Sequence, residues 1–107
     1  MKFVIDVAQD FSPQPWGRYL SDDGDRSAEA FRKKFLVPAL HKGEPFLVDL
    51  SGSNRFSSSF LEEAFGGLVR TEGFSSSDLD IMELKHSLLP SIVDEIRDYI
   101  KRAEELK

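Results

Sequence analysis

The sequence predicts one α/β domain: a mixed sheet of three to four strands packed by about three helices, in the order β, β, α, β, α, β, α. Three observations lead there. Short apolar or β-branched runs alternate with segments whose apolar residues recur every three or four positions, as when strands alternate with amphipathic helices. A length of 107 residues with 40% hydrophobic content and nine Phe suits one core that needs no metal or disulfide. No linker, repeat or low-complexity stretch divides residues 1–107.

The first strand is Phe3-Val4-Ile5-Asp6-Val7, and Pro13 and Pro15, which lack ladder donors, require it to end by about residue 8. Residues 16–20 read as a short second strand, interrupted by Gly17 and followed by an Asp-rich turn. Ser27 is placed to cap a helix, with Glu29 in the first turn opposing the helix dipole. On that helix Ala28, Phe31, Phe35 and Ala39 share one face, while Arg32, Lys33 and Lys34 face elsewhere. Pro38 predicts a kink or break, with the last turn ending near Lys42-Gly43.

Pro45 to Leu50 is nearly continuous in apolar residues, as expected of a strand covered on both faces. A polar loop then leads into a helix marked by Leu61, Phe65 and Leu68. Ser59 with Glu62 fits a capping box, and Ser57 or Ser58 is an alternative cap. Residues 80–85 read as a further strand with Met82 and Leu84 on one side. Pro90 suits the first turn of a last helix, whose stripe is Ile92, Val93, Ile96, Tyr99, Ile100 and Ala103. Its outer face, with Asp98 and Arg102 at i,i+4, reads as solvated. Alternation of this kind implies parallel neighbours joined by right-handed crossovers.

Charge and composition exclude several functions. Nineteen acids against 14 Lys and Arg give a net charge of -5, which disfavours binding to nucleic-acid backbones. With no Cys there is no thiolate metal site or Cys nucleophile. His41 and His86 lack metal-ligand spacing, so no metal or other cofactor is expected. A triad of Ser58, His86 and Asp49 has no nucleophile elbow behind it, so no catalytic residue is assigned. No apolar run is long enough to span a membrane, and Asp6 breaks the opening apolar stretch too early for a signal peptide. These features fit a soluble, cytoplasmic domain.

Three stretches together resemble the short bacterial STAS-like domain family of unassigned function: Phe11 to Tyr19, Phe31 to Leu40, and Val48 to Arg70, within residues 3–85. The run SSFLEEAFGGLVR at residues 58–70 carries most of the signal. That family is in turn similar to the STAS domains of anti-sigma factor antagonists and sulphate transporters. In the antagonists an Asp-Leu-Ser strand end is followed by Asp-Ser-Ser-Gly at the start of a helix, and a kinase-like ATPase phosphorylates the first serine of the pair. Counted from Asp49, the resemblance puts Ser57 at the acid position, Ser58 at the phosphorylated position, Ser59 next and Phe60 where glycine would stand. The acid and the glycine are both missing.

The candidate site is built on this loop. Ser58 is the candidate phospho-acceptor, and Asp49, Arg55, Ser57 and Ser59 form a switch loop or anion site at a helix N-terminus. Alternatively one serine caps and the others are plain loop residues, and Asp49 accepts amides of its own loop. Trp16, Gly17, Arg18 and Tyr19 suit an interaction surface, or else cover one end of the sheet, with Arg18 near Asp22, Asp23 or Asp25. Gly66 and Gly67 signal close packing, or a flat surface that a partner can approach. The leading expectation is a non-enzymatic regulatory module with a protein partner, on the resemblance a histidine-kinase-type ATPase. The alternative is a small-ligand or nucleotide-binding domain using the same helix start with Arg55 and Arg18. Sequence leaves the oligomeric state open.

Overall fold

The computed structural model describes residues 3–11, 17–19, 24, 27–52 and 57–107. Among these, three strands form one parallel sheet in the order β1 (Phe3–Asp6), β2 (Phe46–Asp49), β3 (Met82–Lys85). The register aligns Phe3, Phe46 and Met82 in one row and Asp6, Asp49 and Lys85 in another. The expected mixed sheet is therefore parallel throughout the described residues.

β1 ends earlier than the prolines require. The Asp6 carboxylate accepts the Gln9 amide at 3.2 Å while Asp10 accepts the Asp6 amide at 2.8 Å, so the two acids start a π-turn, Val7–Phe11. That turn carries Phe11 into an aromatic cluster with Phe31 (5.1 Å between ring centroids), Phe35 (6.0 Å) and Phe60 (5.9 Å).

Gly17 to Tyr19 are not a strand. The Gly17 carbonyl accepts the Ala28 amide at 3.0 Å and the Arg18 carbonyl accepts the Glu29 amide at 2.9 Å. With Ser27 Oγ accepting the Ala30 amide at 3.1 Å, three amides that open the next helix have acceptors. Polar backbone in this segment thus serves a helix end instead of a ladder. Trp16 and the rest of that segment's flanks, Asp22, Asp23 and Asp25 included, lie outside the described residues.

Helix α1 runs over 28–41 as α-helix Ala28–Phe31, π-turn Arg32–Leu36 and α-helix Val37–His41. Pro38 does not break it. The π-turn immediately before the proline, in which the Val37 amide reaches back to the Arg32 carbonyl, accommodates the missing donor. Gly43, at a φ of 72°, follows the helix and closes it onto Leu40. Because a π-turn holds an extra residue, the buried face moves from Phe35 to Leu36, with Ala39 and Leu40 beyond it. Arg32, where the π-turn begins, is 2% exposed. The outward face expected of it is corrected by helix geometry itself, since at i+4 from Ala28 it falls on the buried side.

Helix α2 covers 58–70, again with a π-turn, Glu62–Gly66, between α-helical ends Ser58–Leu61 and Gly67–Arg70. It is the central helix, with α1 on one flank and α3 (Pro90–Glu105) on the other. Phe60, Leu61, Ala64, Phe65, Leu68 and Val69 are all buried on it. A 3₁₀ turn, Ser77–Ile81, precedes β3. α3 buries Ile96, Ile100 and Ala103, and Asp98 pairs with Arg102 at 2.8 Å on its outer side.

Side chains alternate across the sheet. Ile5, Phe46, Val48 and Met82 are buried beneath the helices, whereas Val4, Leu47 and Glu83, one row along, are half-buried or exposed. β2 is thus fully buried on one face and partly covered on the other, short of the full cover on both faces that its apolar run implies. Leu47 remains partly accessible and Asp49 stands on the same side.

Arg32 joins α1 to α2. Its guanidinium donates to the Glu63 carboxylate and the Glu63 carbonyl, each at 2.8 Å, and to Glu72 at 2.8 Å. A Cβ at Gly67 would fall into this guanidinium, and one at Gly66 would lie 2.9 Å from Glu62 Oε2. The two glycines are buried beneath charged side chains, so they are not the flat interaction surface that the sequence offers as one reading.

Two substitutions test this arrangement by chemical or thermal unfolding. Helix propensity favours alanine over glycine by about 1 kcal/mol. Gly67→Ala is nevertheless expected to destabilise by about 2–3 kcal/mol, because displacing Arg32 strands a buried ion pair. Arg32→Met costs about 3 kcal/mol for the same reason. The double variant loses clearly less than the sum, since both changes remove one interaction. A Gly67→Ala protein as stable as the parent contradicts the packing argument.

Candidate functional site

The loop from β2 to α2 is placed by hydrogen bonds at both ends. Leu50 donates its amide to the Lys85 carbonyl at 2.8 Å, extending the β2–β3 pairing by one residue. Asp49 Oδ1 accepts the Ser51 amide at 3.0 Å, an Asx-type turn that reverses the chain. Burial alone would raise the Asp49 carboxyl. The side chain and amide of Ser51, with Lys85 and His86 nearby, hold it below the ordinary carboxylate range instead. Ser51 and Ser87 hydroxyls lie 3.0 Å apart and the Ser87 amide donates to Ser51 Oγ at 2.9 Å, so the loops after β2 and β3 are tied together. At Gly52 an added Cβ would lie 2.8 Å from Ala8 Cβ, which shows how closely the loop crosses the turn after β1.

Residues 53–56, including Arg55, lie outside the described residues. The chain is described again at Ser57, which is extended (φ -77°, ψ 144°) and accepts the Phe60 amide on its Oγ at 3.0 Å. Ser57 is thus the N-cap of α2. The capping box of Ser59 with Glu62 does not form. Glu62 is drawn instead to Arg70 at 2.6 Å and Arg18 at 2.7 Å, which leaves its carboxylate committed to guanidinium groups.

Ser58 and Ser59 are both exposed in the first turn of α2. Ser58 Oγ donates to Glu95 Oε2 at 3.0 Å, and the Tyr99 hydroxyl donates to the same oxygen at 2.5 Å. Burial and the bond to Glu95 raise the Tyr99 phenol above its ordinary pKa. Glu95 and Tyr99 sit one turn apart on α3, so the three serines have different positions: one caps α2, one contacts α3, and one faces outward.

Arg18 meets α2 one turn beyond the serines and also serves the start of α1. It contacts Glu62 at 2.7 Å and Glu63 at 3.5 Å, and Arg70 reaches the same two acids. Burial would raise the Glu62 carboxyl, but hydrogen bonds from Arg70 and Arg18 outweigh it and hold it low. Tyr19 is 45% exposed beside this cluster in sequence. The structure therefore separates the candidate residues into a loop group, Asp49 with Ser57 to Ser59, and a network group, Arg18 with the surroundings of Gly66 and Gly67.

The sequence reading missed Glu95 and Tyr99, which it assigned to a solvated face and an apolar stripe. Their i,i+4 spacing was the available signal; the partner lies 37 residues away. His86, weighed from sequence only as a metal ligand or triad member, is buried and accepts the Leu89 amide on Nδ1 at 3.0 Å just before α3 begins. Among the described residues no group of three or more His, Asp or Glu side chains is arranged to hold a metal ion. No described helix is long and apolar enough to cross a membrane.

The family model described as STAS-like domain of unknown function (DUF4325) matches residues 27–85. The match takes in α1, β2, α2 and β3, starting at the Ser27 cap and stopping before α3. No curated protein and no solved structure matches the chain.

Two measurements follow from the geometry. Ser57→Ala removes the α2 cap and is expected to cost about 1 kcal/mol. Ser59→Ala stays within about 0.5 kcal/mol of the parent. The reverse order in unfolding experiments assigns the cap to the wrong serine. Acid titration tests Glu62. Its lowered folded-state pKa contributes stability that is complete above the unfolded value of about 4 and is lost as pH falls through the folded one. The parent should lose melting temperature more steeply below about pH 4 than Glu62→Gln does, and parallel curves would contradict the assignment.

Proposed function

The chain belongs to the family of STAS-like domains of unknown function, and from that membership we propose that it is a non-enzymatic regulatory module that binds a protein partner and is switched at Ser58. The observation that carries the reading is the division of labour among the serines. Ser57 Oγ is committed to capping α2, whereas Ser58 presents an exposed hydroxyl in the first turn of the same helix. A phosphate there gains from the positive end of the helix dipole. The position is the one that takes phosphate in the anti-sigma factor antagonists that the sequence distantly resembles.

In this reading the writer is a kinase-like ATPase of the histidine-kinase type, and the added charge changes affinity for the partner at the start of α2. A bacterial, cytoplasmic signalling setting goes with it. The loop side of the sheet supplies a firm base: Asp49, Ser51 and Ser87 hold the strand ends together whether or not Ser58 is modified.

The test is intact-mass and peptide-mapping analysis of the protein isolated from its own cells, with co-purified proteins identified alongside. The expected result is one phosphate on the peptide that holds Ser57 to Ser59. Ser58→Ala should lose that phosphate and keep its stability to within about 0.5 kcal/mol. Phosphate that persists in this variant, or a chain that carries none when its partner is bound and when it is free, overturns the proposal.

A further inference from the structure

The same serine touches a second helix, and this contact has a direction. Ser58 donates its proton to Glu95 Oε2 at 3.0 Å, and Tyr99 donates to the same oxygen at 2.5 Å. The interaction therefore depends on Ser58 being a neutral donor. We propose that α3 reads the charge on Ser58 through Glu95 and Tyr99, so that a phosphate at Ser58 loosens the first half of α3 from α2. This rests on the reading of Ser58 as the phospho-acceptor.

A phosphorylated Ser58 has no hydroxyl proton to donate and brings close to two negative charges against the Glu95 carboxylate. One of the two contacts of the modified residue must give. At α2 the phosphate meets the favourable end of the dipole and a helix already capped by Ser57, so that side is strengthened. At α3 it meets a like charge that Tyr99 holds in place. The yielding element is α3.

The way α3 is attached fits a partial release. Its second half is anchored by Ile100 and Ala103, both buried, and beyond its end Lys107 donates to the Phe74 carbonyl at 3.1 Å. Its first half has one fully buried side chain, Ile96, with Ile92 and Val93 half-buried, and Arg97 donating to the Met82 carbonyl at 2.9 Å. Release of this half uncovers the side chains it buries, Ile96 with Ile92 and Val93 beside it, next to the Ser58–Glu95 contact at the start of α2. The switch thereby gains a surface as well as a charge.

Hydrogen exchange on the full chain tests this without the kinase. Ser58→Asp, and a chain with phosphoserine incorporated at position 58 during translation, are compared with the parent and Ser58→Ala. Amides of residues 92–98 should exchange about tenfold faster in the charged variants, with those of α2 unchanged. Ser58→Ala should show a smaller effect. Glu95→Gln in the Ser58→Asp background should restore protection, because the amide can donate to the new carboxylate. Unchanged α3 protection in the phosphoserine chain, fraying of α2 instead, or an equal effect from Ser58→Ala each overturns the inference. If phosphate is found on Ser58 in cells while α3 stays protected, only this inference fails. If no phosphate is found while α3 responds to charge, the reading of Ser58 fails instead.

Discussion

The guanidinium of Arg32, buried between α1 and α2, sets constraints on both helices at once. It holds a carboxylate and a carbonyl of Glu63 and the carboxylate of Glu72 at once, so its charge is compensated in place. Burying such a group is unfavourable unless every partner is present. That requirement reaches outward: Gly67 must lack a side chain, α1 must bring position 32 inward, and α2 must bring Glu63 to meet it. The π-turns at 32–36 and 62–66 lie at this seam and carry Arg32 and Glu63 themselves. Arg18 and Arg70 then close around Glu62 and Glu63 at its outer margin.

With that seam fixed, α2 has a fixed start as well as a fixed middle. Ser57 is held by its cap, and the turn at Asp49 and the Ser51–Ser87 contact set the loop that leads toward it. The acid that precedes the serine in antagonist-like sequences has no counterpart at position 57, where a hydroxyl serves as the cap. A carboxylate nevertheless stands beside Ser58, delivered by Glu95 from α3, outside the stretch that defines the family.

Much of the architecture was legible from local pattern. Strand composition marked Phe3, Phe46 and Met82 as positions in strands, Ser27 announced its helix, and the stripe of α3 was placed where it packs. What escaped was whatever departs from regular period or depends on distant partners. Helical periodicity puts Phe35 inside, and one π-turn moves the buried row to Leu36; Arg32, at i+4 from Ala28, was read as outward although its spacing already places it on the buried face. Gly17 to Tyr19 have strand-like aromatic composition, yet their carbonyls serve the amides of α1. The double glycine was read as close packing or as a flat partner surface, and its occupant, a charged side chain from another helix, has no local signature. The same holds for Glu95, whose role depends on a serine far back in the chain.

The exposed residues of β1 have a colloidal consequence. Parallel sheets are ordinarily sheltered on both faces, and here Phe3 and Val4, 48% and 45% exposed, stand on a strand with no described neighbour on its outer side. A bare apolar strand of this kind invites self-association in extended stacks. Among the described residues, charge counters this. Lys42 lies 4.7 Å over the Phe3 ring, and Asp6, Glu83 and Lys85 punctuate the rows along the open face. These side chains act as gatekeepers against edge-to-edge stacking of a short apolar strand, a duty separate from folding.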